Sequence, residues 1–104
     1  MAALDMFANA LGDEPMSAGY LVLYAGRRVR RGELEKRERC MIAYLRRRRV
    51  ARDRFQFLRG GYREATTLEI WLVPPGESPP LPTPTVKTDQ VVKLKGKTRY
   101  HCDL

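Results

Sequence analysis

The chain has 104 residues, of which 43% are hydrophobic and 31% charged, and its formal net charge at pH 7 is +8. This length predicts one domain. The sequence contains no run of about 18 apolar residues, so it predicts no membrane-spanning helix. The N-terminal segment contains Asp5 and no basic region, so it does not resemble a secretory signal. We therefore expect a cytoplasmic protein, with a place at the periphery of a membrane complex as one alternative.

The N-terminal part predicts a short helix followed by a buried strand. Leu4, Phe7 and Leu11 recur at helical spacing over residues 2–11. Residues 20–24 form a nearly continuous apolar and aromatic run, which is typical of a central strand buried on both faces. We expect the helix to pack on the sheet that contains this strand.

A basic loop over residues 27–32 leads into a predicted helix over residues 33–47. Leu34, Met41 and Leu45 fall close to one line of the helical wheel, and cationic side chains occupy the opposite side. A core-facing stripe backed by a solvated basic face explains this pattern without any function. That alternative stays open for the arginines of the helix.

Two further strands are predicted after the helix. Residues 54–58 alternate, and residues 66–73 are rich in β-branched and aromatic side chains. Gly60 and Gly61 permit a reversal with positive φ between them. The crossover makes the first two strands parallel, and the third then pairs antiparallel beside the central one. The prediction is an α/β (α+β) fold, a small βαββ sandwich with a short N-terminal helix and a three-stranded mixed sheet over residues 1–73.

Residues 74–104 are predicted to form an extended, proline-rich tail outside the compact domain. The prolines between residues 79 and 84 favour polyproline II geometry. Residues 90–94 suit a short basic or β anchor on the sheet edge of a partner. Whether it is a PxxP-type ligand or a plain spacer, such a tail is mobile alone, so we expect a partner to order it.

Cys40 and Cys102 form no CxxC motif and have no neighbouring ligand cluster. They could pair only if the tail folded back onto the helix. In a cytoplasmic protein, two reduced thiols are the expected state.

Positive charge is concentrated in the middle of the chain. Residues 27–63 carry 15 basic and 4 acidic side chains, so the net charge of this segment exceeds that of the whole chain. One arginine group follows the first strand and the other ends the helix, about 20 Å away at 1.5 Å per residue. Two separated groups suit an extended anionic partner. The predicted partner-binding residues are Arg27, Arg28, Arg30, Arg31, Arg46, Arg47, Arg48 and Arg49, and in the tail Pro79, Pro80, Leu81, Pro82, Val91, Val92 and Leu94.

Several short motifs occur in the order of a known domain family. They are Leu21-Val-Leu-Tyr-Ala-Gly26, Arg37 with the Tyr44-Leu45 pair, Arg54-Phe55, Gly60-Gly61-Tyr62-Arg63-Glu64 and Thr67-Leu68-Glu69-Ile70. In this order they resemble, over about half of the chain, the OmpA-like (peptidoglycan-associated) domain in truncated form. The family's ligand-binding aspartate falls at Arg28, and of its acid–arginine pair for diaminopimelate only Arg37 matches. The resemblance therefore implies the fold rather than the activity.

No catalytic or metal motif occurs, so we expect no enzyme, no cofactor and no small-molecule substrate. The leading hypothesis is a small basic accessory or docking subunit of a larger multi-subunit complex, for example a respiratory or photosynthetic membrane assembly. Its partner would be a larger acidic protein or complex, with an anionic membrane surface as a further candidate. A nucleic-acid (RNA) binding protein is the alternative, and an OmpA-like peptidoglycan-binding module is the third.

Overall fold

A computed structural model describes residues 2–102. Over these residues the elements are, in chain order, α1 (Ala2–Asp13), β1 (Ala18–Gly26), β2 (Arg28–Arg31), α2 (Glu33–Arg47), β3 (Phe55–Arg63), β4 (Thr67–Val73) and β5 (Val92–Lys97). Short 3-10 turns at Arg52–Arg54 and Thr88–Gln90 precede β3 and β5. The predicted mixed α/β class is confirmed.

β1 is the centre of a three-stranded sheet with the order β3-β1-β4. It runs parallel to β3 and antiparallel to β4, as predicted. Leu21 of β1 lies between Phe57 of β3 and Ile70 of β4. Leu21 and its neighbour Val22 point to opposite faces, and both are fully buried. The central strand is therefore covered on both faces.

Both helices cover one face of this sheet. The apolar stripes predicted for the two helices are the ones that are buried, and α2 has the predicted bounds. Helices and strands share one core cluster, which contains Leu4, Phe7 and Leu11 of α1, Leu34, Met41 and Leu45 of α2, and Leu21, Leu23, Ala25 and Phe55 of the sheet.

The reversal predicted at Gly60 and Gly61 is wrong. β3 continues through both glycines to Arg63, with a register shift that leaves Gly60 as an extra residue between the partners of Leu23 and Tyr24. Gly60 lies under the Tyr24 ring, where a Cβ would overlap the ring atoms. The glycine pair therefore makes room for a buried tyrosine and a β-bulge, and the chain reverses after Arg63.

The basic loop predicted at residues 27–32 is partly a strand. After a bend at Arg27, β2 pairs in parallel with β5, and the two strands form a separate two-stranded sheet. Gly32 follows with φ of 84° and begins α2. This left-handed conformation favours glycine, because a side chain is strained there.

The tail does not trail away from the domain over its described residues. Val86 is buried and forms a bridge with Tyr62 of β3, and β5 then pairs with β2. The ring of Tyr100 lies 4.2 Å from the guanidinium carbon of Arg37 on α2. The tail thus crosses the face of the sheet opposite the helices and returns to α2. Its ordering by a partner was the expectation, whereas these contacts come from its own chain.

The prediction of two reduced thiols is also wrong, since Cys40 of α2 and Cys102 form a disulfide with their Cα atoms 5.7 Å apart. This Cα distance lies in the normal range for disulfides. The pairing requires the tail to fold back onto the helix, which is the path that the structure shows.

Candidate functional site: a basic ribbon

The pair β2 and β5, which we call the basic ribbon, brings together two cationic segments of the chain. In their register Arg28 lies beside Val92, Val29 beside Lys93 and Arg30 beside Leu94, and after a shift Arg31 lies beside Lys97. The backbone bonds continue past both ends, from the Val92 amide to the Arg27 carbonyl at 2.8 Å and from the Thr98 amide to the Arg31 carbonyl at 2.9 Å. The side chains are therefore supported by a paired ladder with one irregularity, at Lys95 and Gly96.

Five cationic side chains of the ribbon are exposed. Within residues 2–102 none of them forms an ion pair or a side-chain hydrogen bond: Arg28, Arg31, Lys93, Lys95 and Lys97. Arg30 differs, because its Nη1 donates to the Lys95 carbonyl at 2.9 Å and ties the two strands together. The ribbon therefore carries five cations whose charge the rest of the described chain does not neutralise.

The charge count explains why this surface is the most basic part of the molecule. Residues 27–31 and 87–99 contain nine basic side chains and one acidic side chain, so they carry the whole net charge of +8. The remaining residues hold basic and acidic groups in equal number. The local field at the ribbon attracts anionic surfaces.

Arg27 anchors the ribbon to the sheet rather than facing a partner. Its Nε donates to Glu64 Oε2 at 2.9 Å, and a second guanidinium nitrogen pairs with the other carboxylate oxygen. This bidentate contact lowers the pKa of Glu64 below its usual 4.5 and raises the pKa of Arg27. Of the four arginines predicted beside the first strand, Arg28 and Arg31 therefore remain free to bind, while Arg27 and Arg30 hold the fold.

The arginines at the end of α2 are weaker candidates for partner binding than those of the ribbon. Arg48 pairs with Asp5 at 3.4 Å and donates to Asn9 at 3.2 Å, so it joins α2 to α1. Arg47 lies 5.5 Å from the centre of the Tyr44 ring. Arg46 and Arg49 are exposed. This group lies at the far end of α2 from the ribbon, so the structure does not bring the two predicted groups together.

The proline segment stays on the surface. Pro79 and Pro82 are exposed, Pro80 is half-buried, and Leu81 is 83% exposed. In contrast, Val91 and Leu94 are half-buried, and Val92 is 44% exposed within the ribbon. The three predicted anchor residues thus lie on or beside β5, and their strand already has a partner in β2.

Arg37, which the resemblance aligned with a ligand-binding arginine, is engaged by its own chain. Its Nε donates to Glu33 at 3.3 Å, and Tyr100 lies on its guanidinium group. A small pocket of about 150 Å³ adjoins it, lined also by Met41, Thr66 and Leu68. Tyr100 of the tail lines the same pocket, so the tail occupies one side of it.

Sequence reasoning missed the contribution of β5 to the arginine group of β2. The signal was the alternation of Lys93, Lys95 and Lys97, which has the period of a strand. This pattern does not reveal which edge the strand joins. That information comes only from the return path of the tail.

Comparison with models of protein families, with curated proteins and with solved structures finds no match to this chain. The resemblance to the OmpA-like domain therefore stays a prediction. Neither of the helices in residues 2–102 has the length and apolar character needed to cross a membrane. The same residues contain no group of three or more histidine, cysteine or acidic side chains placed to hold a metal ion.

Proposed function

We propose that this protein is a small, non-enzymatic docking protein that binds an acidic surface of a larger partner through the basic ribbon. The observation that carries the proposal is the group of exposed cations on β2 and β5 that have no ion pair within residues 2–102. A paired backbone ladder fixes their spacing before binding, so little ordering of the chain opposes association. Opposite charges across the interface then favour encounter and a defined orientation.

The partner we propose is an acidic protein within a larger assembly, of which this chain is an accessory subunit. The disulfide between Cys40 and Cys102 supports a location in an oxidising compartment, because disulfides are rare in the reducing cytosol. This location replaces the cytoplasmic one expected from the sequence. Nucleic acid is scarce in such compartments, which favours protein over nucleic acid as the partner. A membrane complex that exposes an acidic face in such a compartment fits both the disulfide and the positive charge of the ribbon.

Nucleic acid is the second candidate, because a two-stranded β-ribbon fits the major groove of a duplex. Single-stranded nucleic acid has less support. Its binding normally uses exposed aromatic side chains beside the cations. The described part of the ribbon has none, and the nearby Tyr100 is stacked on Arg37.

The test compares two triple variants of the disulfide-bonded full chain. K93Q/K95Q/K97Q removes three charges from the ribbon, whereas K36Q/R39Q/R46Q removes the same number from α2. Binding to labelled poly-L-glutamate, to a DNA duplex and to vesicles containing an anionic lipid is measured by anisotropy or co-sedimentation. We expect the ribbon variant to bind polyglutamate about tenfold more weakly and the α2 variant to change less than about threefold.

Equal losses in the two variants would show that only net charge matters, and they would refute the ribbon as a site. Tighter binding to the duplex than to polyglutamate would favour nucleic acid as the partner. In that case about five phosphate contacts predict a slope of log affinity against log salt near −4.5. Preference for the anionic vesicles would move the proposal from a protein surface to a membrane surface.

A further inference from the structure

The outer edge of β4 is open. β4 pairs with β1 on one side, and no strand of the described chain pairs with its other side. Leu68, Ile70 and Leu72 point into the layer between sheet and helices, yet all three are only half-buried. Their incomplete burial follows from their position, since no strand or helix within residues 2–102 lies beyond the edge.

This edge lacks the features that usually prevent strand pairing. β4 contains no proline and no lysine, and its seven residues are mainly β-branched, aromatic or aliphatic. Its one charged residue, Glu69, already accepts hydrogen bonds from Arg63, Tyr24 and Trp71. Trp71 itself is 44% exposed. Such a strand is a template for another strand.

Helix α1 adds an apolar row on the same side. Its Asp5 and Asn9 bond with Tyr44 and Arg48 of α2, which fixes the flank that faces the second helix. The opposite flank carries Ala3, Met6 and Ala10 at helical spacing. Met6 is 71% exposed. Because α1 packs on β4, this apolar row lies above the open edge.

We propose that a second copy of this chain covers the edge, with the two β4 strands paired antiparallel about a two-fold axis at Ile70. This register places Leu68 opposite the partner's Leu72, and Thr67 opposite the partner's Val73. Glu69 lies opposite the partner's Trp71, so no two like charges meet. The result is a continuous six-stranded sheet.

The two-fold axis also explains the exposed row on α1. An axis perpendicular to the sheet keeps both helical layers on the same side of the six strands. The row of Ala3, Met6 and Ala10 then meets its own counterpart above the paired β4 strands. One symmetry operation thus covers both the strand edge and the apolar flank, which is the argument for a second copy rather than an unrelated partner.

The first test is sedimentation equilibrium of the full chain, with disulfide linkage between copies checked on a non-reducing gel. We expect a non-covalent dimer. Trp71→Glu places a carboxylate opposite the partner's Glu69 twice in each dimer, whereas Trp71→Lys places an attractive charge there. Both variants lose the indole, so their difference isolates the pairing. We expect the dimer of Trp71→Glu to be about tenfold weaker than that of Trp71→Lys.

A second pair of variants tests the helix. Met6→Gln should weaken the dimer, while Val92→Gln, an exposed apolar residue on the ribbon, should leave it unchanged. Circular dichroism confirms that each variant is folded. A wild-type chain that stays monomeric up to about 1 mM overturns the proposal. So does a dimer that responds equally to Trp71→Glu and Trp71→Lys and is insensitive to Met6→Gln.

Discussion

The guanidinium carbon of Arg63 lies 3.7 Å from the centre of the Tyr24 ring. Arg63 also donates to Glu69 at 2.8 Å and to the Thr83 hydroxyl at 2.6 Å. The Tyr24 hydroxyl donates to Glu69 at 3.0 Å and accepts from the Thr83 amide at 3.0 Å. These four residues, which we call the tyrosine clamp, hold the start of the returning tail on the sheet face opposite the helices.

Tyr24→Phe tests the tyrosine clamp. The substitution keeps the ring under Arg63 but leaves the Thr83 amide without its acceptor and removes one of the two hydrogen bonds to Glu69 Oε1, the other of which comes from Trp71. We expect the free energy of unfolding to fall by about 1–2 kcal/mol in urea titrations. Amides of Thr85 and Val86, which bond to the Tyr62 carbonyl, should exchange faster.

Tyr20→Phe is the control for this change. Tyr20 lies on the same strand and is half-buried, but its hydroxyl forms no hydrogen bond with residues 2–102. A similar loss of stability in both variants would contradict the clamp, because it would show that the hydroxyl bonds of Tyr24 contribute nothing specific.

The tyrosine clamp also predicts a dependence of stability on pH. The bond from Arg63, with further bonds from Trp71 and Tyr24, lowers the pKa of Glu69 below its ordinary 4.5. A carboxylate whose folded pKa is depressed contributes its stability in full above the unfolded pKa, and loses it as pH falls through the folded pKa. The folded state should therefore weaken as pH falls below 4.5, and the fluorescence of the single tryptophan, Trp71, should report it.

Glu69→Gln should reduce the loss of stability of the folded state at acidic pH. It should not abolish it, because the pKa values of Asp5 and Glu64 are also lowered by hydrogen bonds from Tyr44 and Arg27. Glu77→Gln is the matched control, since the Glu77 side chain is exposed and makes no ion pair within residues 2–102. An acid response in Glu69→Gln equal to that of the wild type would contradict the role of this carboxylate.

The elements that could be predicted from the sequence are those with a local apolar period. Leu4, Phe7 and Leu11 give α1 its stripe, and Leu34, Met41 and Leu45 do the same for α2. β2 could not be predicted, because only Val29 is apolar in its four residues. Its strand conformation depends on a partner 65 residues away, as the bond from Arg30 to the Lys95 carbonyl shows.

The glycine pair in β3 shows a second limit of local patterns. Gly60 and Gly61 favour a turn by composition. However, the size of the Tyr24 side chain decides the outcome, because its ring fills the space beside Gly60. For the candidate site, the arginines of β2 were predicted, but the lysines of β5 join them only through the path of the tail.

Gly60→Ala should be destabilising for this reason. The added Cβ would overlap the Tyr24 ring, which is fully buried. We expect a loss of about 1–3 kcal/mol in the free energy of unfolding, typical of overpacking. The measurement is urea denaturation followed by circular dichroism.

Gly12→Ala is the contrasting change. Gly12 lies near the end of α1 with no atom within 4 Å of an added Cβ. Alanine there should be neutral or stabilising by up to about 1 kcal/mol. Equal effects of the two substitutions would mean that the space beside Gly60 is not limiting.

Removal of the disulfide is expected to cause the largest loss of stability. The disulfide closes a sequence separation of 62 residues, so loss of the link should lower the free energy of unfolding by roughly 2–4 kcal/mol. Cys102→Ser is the cleaner variant, because Cys102 is exposed while Cys40 is buried. The amides of β5 should lose protection from hydrogen exchange, and binding of polyglutamate to the basic ribbon should weaken with them.

A reducing agent provides the internal control for the disulfide. It should bring the wild type to the stability of Cys102→Ser and leave that variant unchanged. Cys40→Ser/Cys102→Ser should be no less stable than Cys40→Ser alone, because one link can be lost only once. If Cys102→Ser kept full stability and full protection of β5, then β2 and the contact of Arg37 with Tyr100 would suffice to hold the tail, and the disulfide would add nothing to the ribbon.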